Sequence, residues 1–333
     1  MSDVQTYESA RQIYRVMVMH YVENMKQADI ASEMNLSTAK VHRLIKQGRD
    51  RGMLEISIKT PYQPQLDLES RIIARGGLKD AIVTPTLSEQ NEIVMRSVGQ
   101  AAAGYLLDKL QDGDTICITG GKGVSAVIDA LNPERRYDVT VVPATGCVQG
   151  KLYTDVNYVA TQMAEKLGGK AFHIHAPLFA ENAEQREMLL AMNQVRDVLE
   201  RARNATVAVV GVGSILAESS SYFDLHDTAK SDREDIIEDG AIGEVLAHLI
   251  DNQGAPSRYG LNERIIGLTL NEMHALPYSV GVAAGIEKAP PIHSVLKGRH
   301  IKTLVSDEAT TSHVLNIFQE EAEVGDVNEL AKA

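Results

Sequence analysis

The chain contains no tryptophan, and phenylalanine and tyrosine bring its aromatic content to only 5%. A platform for stacking the bases of single-stranded nucleic acid is therefore disfavoured. Cysteine is almost as scarce: Cys117 and Cys147 stand thirty positions apart, each beside an apolar strand-like run, with no CxxC and no histidine at metal-ligand spacing. A disulfide framework and a structural zinc are both disfavoured, and no metal or other cofactor is expected. No apolar run reaches the roughly 18 residues of a membrane span, and the N-terminal MSDVQTYESARQIYR has no basic stretch leading into an apolar core. These features point to a cytoplasmic protein without membrane attachment. Basic side chains are also in deficit, 33 against 45 acidic, for a net charge of −12. That excludes a uniformly basic nucleic-acid coat but permits a local basic head on an acidic body.

What is present is enough for two domains, or one domain and an appendage: 333 residues, 44% of them apolar. The charge is unevenly distributed. Residues 1–60 carry nine basic and seven acidic side chains, which leaves 24 against 38 in the remainder. This asymmetry suits a small anion-facing module on an acidic body. The break coincides with Thr60-Pro61-Tyr62-Gln63-Pro64-Gln65, where two prolines are expected to interrupt regular structure. The expected domains are thus 1–60 and 61–333, without internal repeats or low-complexity tracts.

From Leu78 onward, short β-rich runs alternate with helical patterns. The predicted strands are Ala81–Val83, Thr115–Thr119, Val139–Val142, Val207–Val210, Ile265–Leu268 and Thr303–Val305, with helices including Glu89–Leu110, Val156–Leu167 and Glu184–Arg203. That alternation predicts an α/β fold with a doubly wound, mostly parallel sheet covered on both faces.

Residues 26–47 read as two short helices around a tight turn. Ile30, Ala31, Met34, Leu36, Val41, Leu44 and Ile45 recur at helical spacing, Ser37 is a suitable N-cap, and Asn35 falls where the turn needs a left-handed backbone. This is a helix-turn-helix pattern. Laid in a major groove, its second helix would present Ser37, Thr38, Ala39, Lys40 and Arg43 to base edges and phosphates. The alternating Met53–Lys59 that follows Gly52 resembles a β-wing. A plain two-helix packing unit with a solvated basic face is the alternative.

In the body, three glycine-bearing segments follow predicted strands. Thr119–Ser125 (TGGKGVS) joins a strand to a helix, where backbone N–H groups, Lys122 and the Ser125 hydroxyl are candidate anion donors. It is neither a P-loop nor a dinucleotide fingerprint. The others are Gly211-Val212-Gly213-Ser214 and Gly281–Lys288. Strand ends of this kind collect ligands in doubly wound sheets, although plain turns also account for them. No GxSxG, HExxH or Cys-His signature is present, and no spacing picks out a carboxylate pair from Asp251, Asp307 and Glu308. For Asp307 a capping or turn role is favoured.

Taken together, these segments resemble the SorC family of bacterial sugar-responsive transcription regulators. The likeness runs from about Arg11 to His313. In the head it is carried by Gln27, Ile30, Ala31, Met34, Leu36, Ser37, Lys40, Val41, Arg43 and Leu44. In the body it is carried, in order, by the 119–125 loop, Asn157 before a helix ending in AEKLGG, Gly211–Ser214, Gly240–Glu244, Asp251–Gly254, Gly281–Lys288 and Ser306–Thr310. The resemblance implies a sheet domain like those of sugar-phosphate isomerases and deaminases, turned to binding, and usually a tetramer. It adds Gln27 to the DNA-facing residues. It nominates Gly121, Gly123 and Ser125 for the anion end of a sugar effector, Asp251 for its hydroxyls, and Lys288 for its phosphate or another oxygen. The family commonly has arginine where Thr38 stands, and bulkier residues where Lys122 and Val124 stand.

The reading is a regulator that binds double-stranded operator DNA under the control of a sugar or sugar phosphate and serves a carbohydrate or polyol operon. Two rivals stay open: a sugar-phosphate isomerase or deaminase carrying a DNA-binding head, and an interaction scaffold. An enzyme would require turnover and an essential carboxylate.

Overall fold

A computed structural model describes residues 3–54, 62–217, 220–225 and 230–330. The chain divides into two compact units, Met1–Pro61 and Tyr62–Ala333.

The first unit holds helices α1 (Asp3–Tyr21), α2 (Gln27–Glu33) and α3 (Thr38–Asp50). Ile13, Val16 and Met17 form one stripe of α1 and pack with Ile30, Ala31, Val41, Leu44 and Ile45 in a single cluster. The turn between α2 and α3 has the predicted chemistry. Asn35 adopts φ +54°, and the Ser37 side chain accepts the Lys40 N–H at 3.2 Å. The expected wing lies outside the described residues from Glu55 onward; Met53 and Leu54 are in no regular element.

The second unit is built on a seven-stranded sheet. Its strands are β1 (Asp80–Thr84), β2 (Thr115–Ile118), β3 (Thr140–Pro143), β4 (Lys170–Ala171), β5 (Val207–Gly211), β9 (Tyr278–Val282) and β10 (Thr303–Asp307), in the order β1-β10-β9-β5-β2-β3-β4. Every pairing in it is parallel. A smaller antiparallel sheet contains β6 (Gly213–Ser214), β7 (Gly243–Val245) and β8 (His248–Ile250).

Strand alternation divides the core between the two faces of the large sheet. Ile116, Ile118, Val207 and Val209 join one cluster with α5 (Asn91–Lys109), α6 (Lys122–Ala130), α7 (Val156–Leu167) and α9 (Asn193–Arg203). Cys117, Ala208 and Val210 join the other with α4 (Gln63–Gly76), α11 (Leu270–Ala275), α12 (Ala289–Lys297) and α13 (Glu308–Leu330). Helices α8 (Ala183–Ala191) and α10 (Lys230–Glu238) complete the described α-helices.

Three expectations are corrected. Ile265–Leu268 forms no strand: it touches Phe179 and Thr145 through isolated bridges, and β9 takes the place in the sheet. A short buried apolar run satisfies both environments, so periodicity cannot separate them. The Glu184–Arg203 helix breaks at Met192, which turns extended at ψ 127°; α9 then aims Val195, Val198, Leu199 and Ala202 inward, while α8 buries no side chain. Pro64 does not interrupt structure, because it sits in the first turn of α4, where no helical N–H bond is lost.

Candidate functional site

The carboxyl ends of β2, β3, β5 and β9 open into a cleft of about 930 Å³. Strand order reverses between β2 and β5: from β2 the chain builds outward through β3 and β4, then returns to the other side. Loops leaving neighbouring strands diverge at such a point and leave a crevice.

The β2–α6 loop forms one wall. Gly121 caps α6 at φ +129°, and its N–H donates to the Tyr153 carbonyl at 2.6 Å. That N–H is therefore committed to the backbone, while Gly121 itself lines the cleft. The first-turn N–H groups of Lys122, Gly123 and Val124 have no acceptor within the helix, and they make the N-terminus of α6 electropositive. Gly123 is required by close approach: a Cβ there would stand 2.7 Å from the Val282 carbonyl oxygen of β9. Lys122, Gly123 and Ser125 all line the cleft.

Lys288 enters the same cleft from the loop after β9. Burial lowers the pKa of its ammonium, nearby Glu244 and Glu287 oppose that effect, and repulsion from Lys122 adds to it. The two lysines thus line one cleft with the N-terminus of α6. Glu287 instead turns towards Asn91 of α5, whose Nδ2 donates to its Oε1 at 3.2 Å.

Glu244 was not among the candidates from sequence. It lies on β7, and its Oε2 accepts the Ala247 N–H at 3.2 Å. Burial pushes its carboxyl up to about 7, against the pull of Lys288 and of that N–H. The turn that holds it is unusual: Leu246 and Ala247, both lining the cleft, adopt φ +54° and +62°. Tight two-residue hairpins place Asn-Gly at such positions, so the leucine and alanine carry local strain at the cleft. The Gly240–Glu244 stretch was visible in the sequence as a family feature, but nothing there indicated that its carboxylate turns inward.

Asp251 is not brought into this cleft. It follows β8, and its Oδ1 accepts the N–H groups of Gln253 and Ala255 at 2.8 and 2.9 Å. Its carbonyl accepts the Ser294 hydroxyl at 2.5 Å. A carboxylate oxygen engaged this way shapes a turn.

In the first unit, α3 turns Val41, Leu44 and Ile45 inward and leaves Thr38, Ala39, His42, Arg43 and Lys46 exposed on the opposite side. Ser37 is exposed at its start, Lys40 is half-buried along its flank, and Gln27 is half-buried at the first position of α2. His42 and Lys46 extend the face beyond the residues singled out from sequence. Helical spacing from Thr38 and Arg43 was the available signal. Four cations against one carboxylate make α3 the basic element of this unit.

Comparison with known proteins agrees with this geometry. Residues 60–316 match the family described as "Putative sugar-binding domain", and residues 15–51 match "Sigma-70, region 4". The transcriptional regulator LsrR of Klebsiella pneumoniae is 31% identical over 307 residues, 91% of this chain and 92% of the relative. The erythritol catabolism regulatory protein EryD of Brucella abortus is 28% identical over 90% of this chain and 95% of its own length. The crystal structure of the full-length sorbitol operon regulator SorC from Klebsiella pneumoniae shares the fold, with a TM-score of 0.71 at 24% identity over 92% of this chain and 99% of that one.

Proposed function

The chain belongs to the SorC family of sugar-binding transcriptional regulators, and from that membership we propose that the cleft takes a phosphorylated sugar or polyol whose binding alters the hold on operator DNA. The carrying observation is that Lys122 and Lys288 both line the cleft into which the N-terminus of α6 opens. Two cations that line one cleft beside first-turn N–H groups suit an anion, and a phosphate matches that arrangement. Lys122, the N–H of Gly123 and the Ser125 hydroxyl would bind it together with Lys288. Glu244, which also lines the cleft, would accept hydroxyls of the carbon chain. The relatives' names point to the same class of ligand, since they include regulators of erythritol catabolism and of a sorbitol operon.

In the head, α3 would lie in the major groove with Ser37, Thr38, Ala39 and Arg43 over base edges. Lys40, with Gln27 at the start of α2, would reach the phosphate backbone. One head neutralises few phosphates, so a site-specific complex calls for a dimer or tetramer on a repeated operator. Such a protein works in the cytoplasm, where its operator is found, and binds its effector without converting it. A tenfold preference of the effector for one assembly state supplies about 1.4 kcal/mol per site.

The test is a thermal-shift screen of the full chain against free and phosphorylated sugars and polyols, followed by product analysis of every hit. A phosphorylated compound that raises the melting temperature and is recovered unchanged supports this reading. Turnover of that compound would establish the enzyme instead, and stabilisation by neutral polyols alone would remove the phosphate.

A further inference from the structure

Asp307 ends β10 and is only 1% exposed. Its Oδ1 accepts the Gly285 N–H at 3.2 Å and the Thr310 hydroxyl at 2.5 Å. Its Oδ2 accepts the Thr86 hydroxyl at 2.8 Å and the Thr310 N–H at 3.1 Å. The brace is reinforced on both sides: Thr310 Oγ1 accepts the Gly285 N–H at 2.9 Å, and Thr86 Oγ1 accepts the Ala309 N–H at 2.9 Å. A buried carboxylate satisfied by these donors, with no cation among them, fixes geometry in three segments at once: the loop after β1, the loop after β9 and the first turn of α13.

The connection to the cleft runs through Gly285. Its φ of +104° lies where a side chain is strained, so the loop depends on external bonds to hold that conformation. Its N–H is held by Asp307 and Thr310, and its carbonyl accepts the Lys288 N–H at 2.8 Å. On the other side, Glu308 Oε2 accepts the Gln65 amide at 2.8 Å. Gln65 belongs to the first turn of α4, three positions after Tyr62, where the second compact unit begins.

We propose that Asp307 is a positioning residue that sets Lys288 for its ligand and, through Glu308 and Gln65, ties the cleft loop to the start of α4, where the chain arrives from the DNA-binding unit. The inference rests on the cleft being the effector site. It assigns a function to a carboxylate that touches no ligand, and it gives cleft occupancy a physical route to the linker.

Amide hydrogen exchange on the full chain tests it, comparing wild type with Asp307→Asn, Thr310→Val and Thr310→Ser. The Asn and Val variants should exchange about tenfold faster both in residues 283–288 and in residues 66–69 of α4, with 115–118 of β2 unchanged as a folding control. Thr310→Ser keeps the hydroxyl and should restore wild-type rates. Faster exchange in 283–288 alone would overturn the tie to α4, and unchanged exchange in both would overturn the positioning role. Inorganic phosphate serves as the probe of occupancy: in wild type it should slow exchange in 283–288 and 66–69, and in Gln65→Ala in 283–288 only. Protection of 66–69 persisting in Gln65→Ala would also overturn the tie. No protection by phosphate anywhere would instead count against the phosphate reading of the cleft, and the variants would still decide the role of Asp307.

Discussion

Glu244 folds its carboxylate directly over Gly213: a Cβ at that glycine would overlap Glu244 Oε1. The first residue of β6 therefore has to lack a side chain for the acid on β7 to face the cleft. Gly213→Ala should displace Glu244 and weaken the effector about tenfold or more, equivalent to about 1.4 kcal/mol, with little change in operator affinity when no effector is present. Calorimetric titration with the hit from the thermal-shift screen measures it, and unchanged affinity would remove Glu244 from the binding surface.

The same carboxyl predicts a pH dependence of stability. Burial raises it from the ordinary 4.5 to about 7, so across that interval the folded protein keeps a proton that the unfolded chain releases. Stability should fall as pH rises through this window and level off above it. Glu244→Gln has no such proton, so the gap between the urea midpoints of the two proteins should change across the window. A gap that stays constant would refute the assignment.

Lys288→Ala should weaken a phosphorylated effector at least tenfold and leave apo operator affinity intact, because Lys288 and α3 belong to separate compact units. A matched pair of phosphorylated and free sugar distinguishes loss of charge recognition from general damage. Equal loss for both compounds would place the phosphate elsewhere.

On the DNA side, Lys40→Ala combined with Arg43→Ala should reduce operator binding and flatten its salt dependence. Each phosphate that is no longer neutralised makes the slope of log affinity against log salt shallower by about 0.9. Fluorescence anisotropy across a salt series reads both effects. An unchanged slope would remove Lys40 from the phosphate backbone, and unchanged affinity would remove Arg43 from the base edges.

Ile45 is fully buried in the small core of the first unit. Ile45→Ala should cost about 2–5 kcal/mol, enough to unfold a marginal domain of this size. Operator binding should then be lost while effector binding persists. Retained operator binding would show that the head is stabilised by more than its own core.

The helix-turn-helix was legible in the sequence because each of its signals is local. Apolar residues at helical spacing, Asn35 in the turn and Ser37 at the cap act within a few residues of one another, and the same residues appear in those roles in the structure. Strand-helix alternation likewise foretold the parallel sheet, since a parallel pair needs a crossover and both faces then need cover.

The cleft was legible only in part. Lys122, Gly123 and Ser125 were chosen from a strand-end loop and Lys288 from the family resemblance, and all four line one crevice. Asp251, nominated by the resemblance, is not among the residues lining that crevice, and its Oδ1 braces a local turn. Nothing in sequence spacing distinguishes a carboxylate that braces its own backbone from one that faces a cavity.

By itself, then, the sequence determined the classes of element, the basic helix and the loops able to meet an anion, because hydrophobic period, capping and backbone sterics operate at short range. Only the tertiary structure decided that β9 rather than 265–268 completes the sheet, that Glu244 joins Lys288 in lining the cleft, and that Asp307 joins Thr86, Gly285 and Thr310. Those outcomes depend on strand order and on which loops it makes neighbours. Thr86 and Asp307 are 221 positions apart, and only the folded sheet brings them within reach of one another.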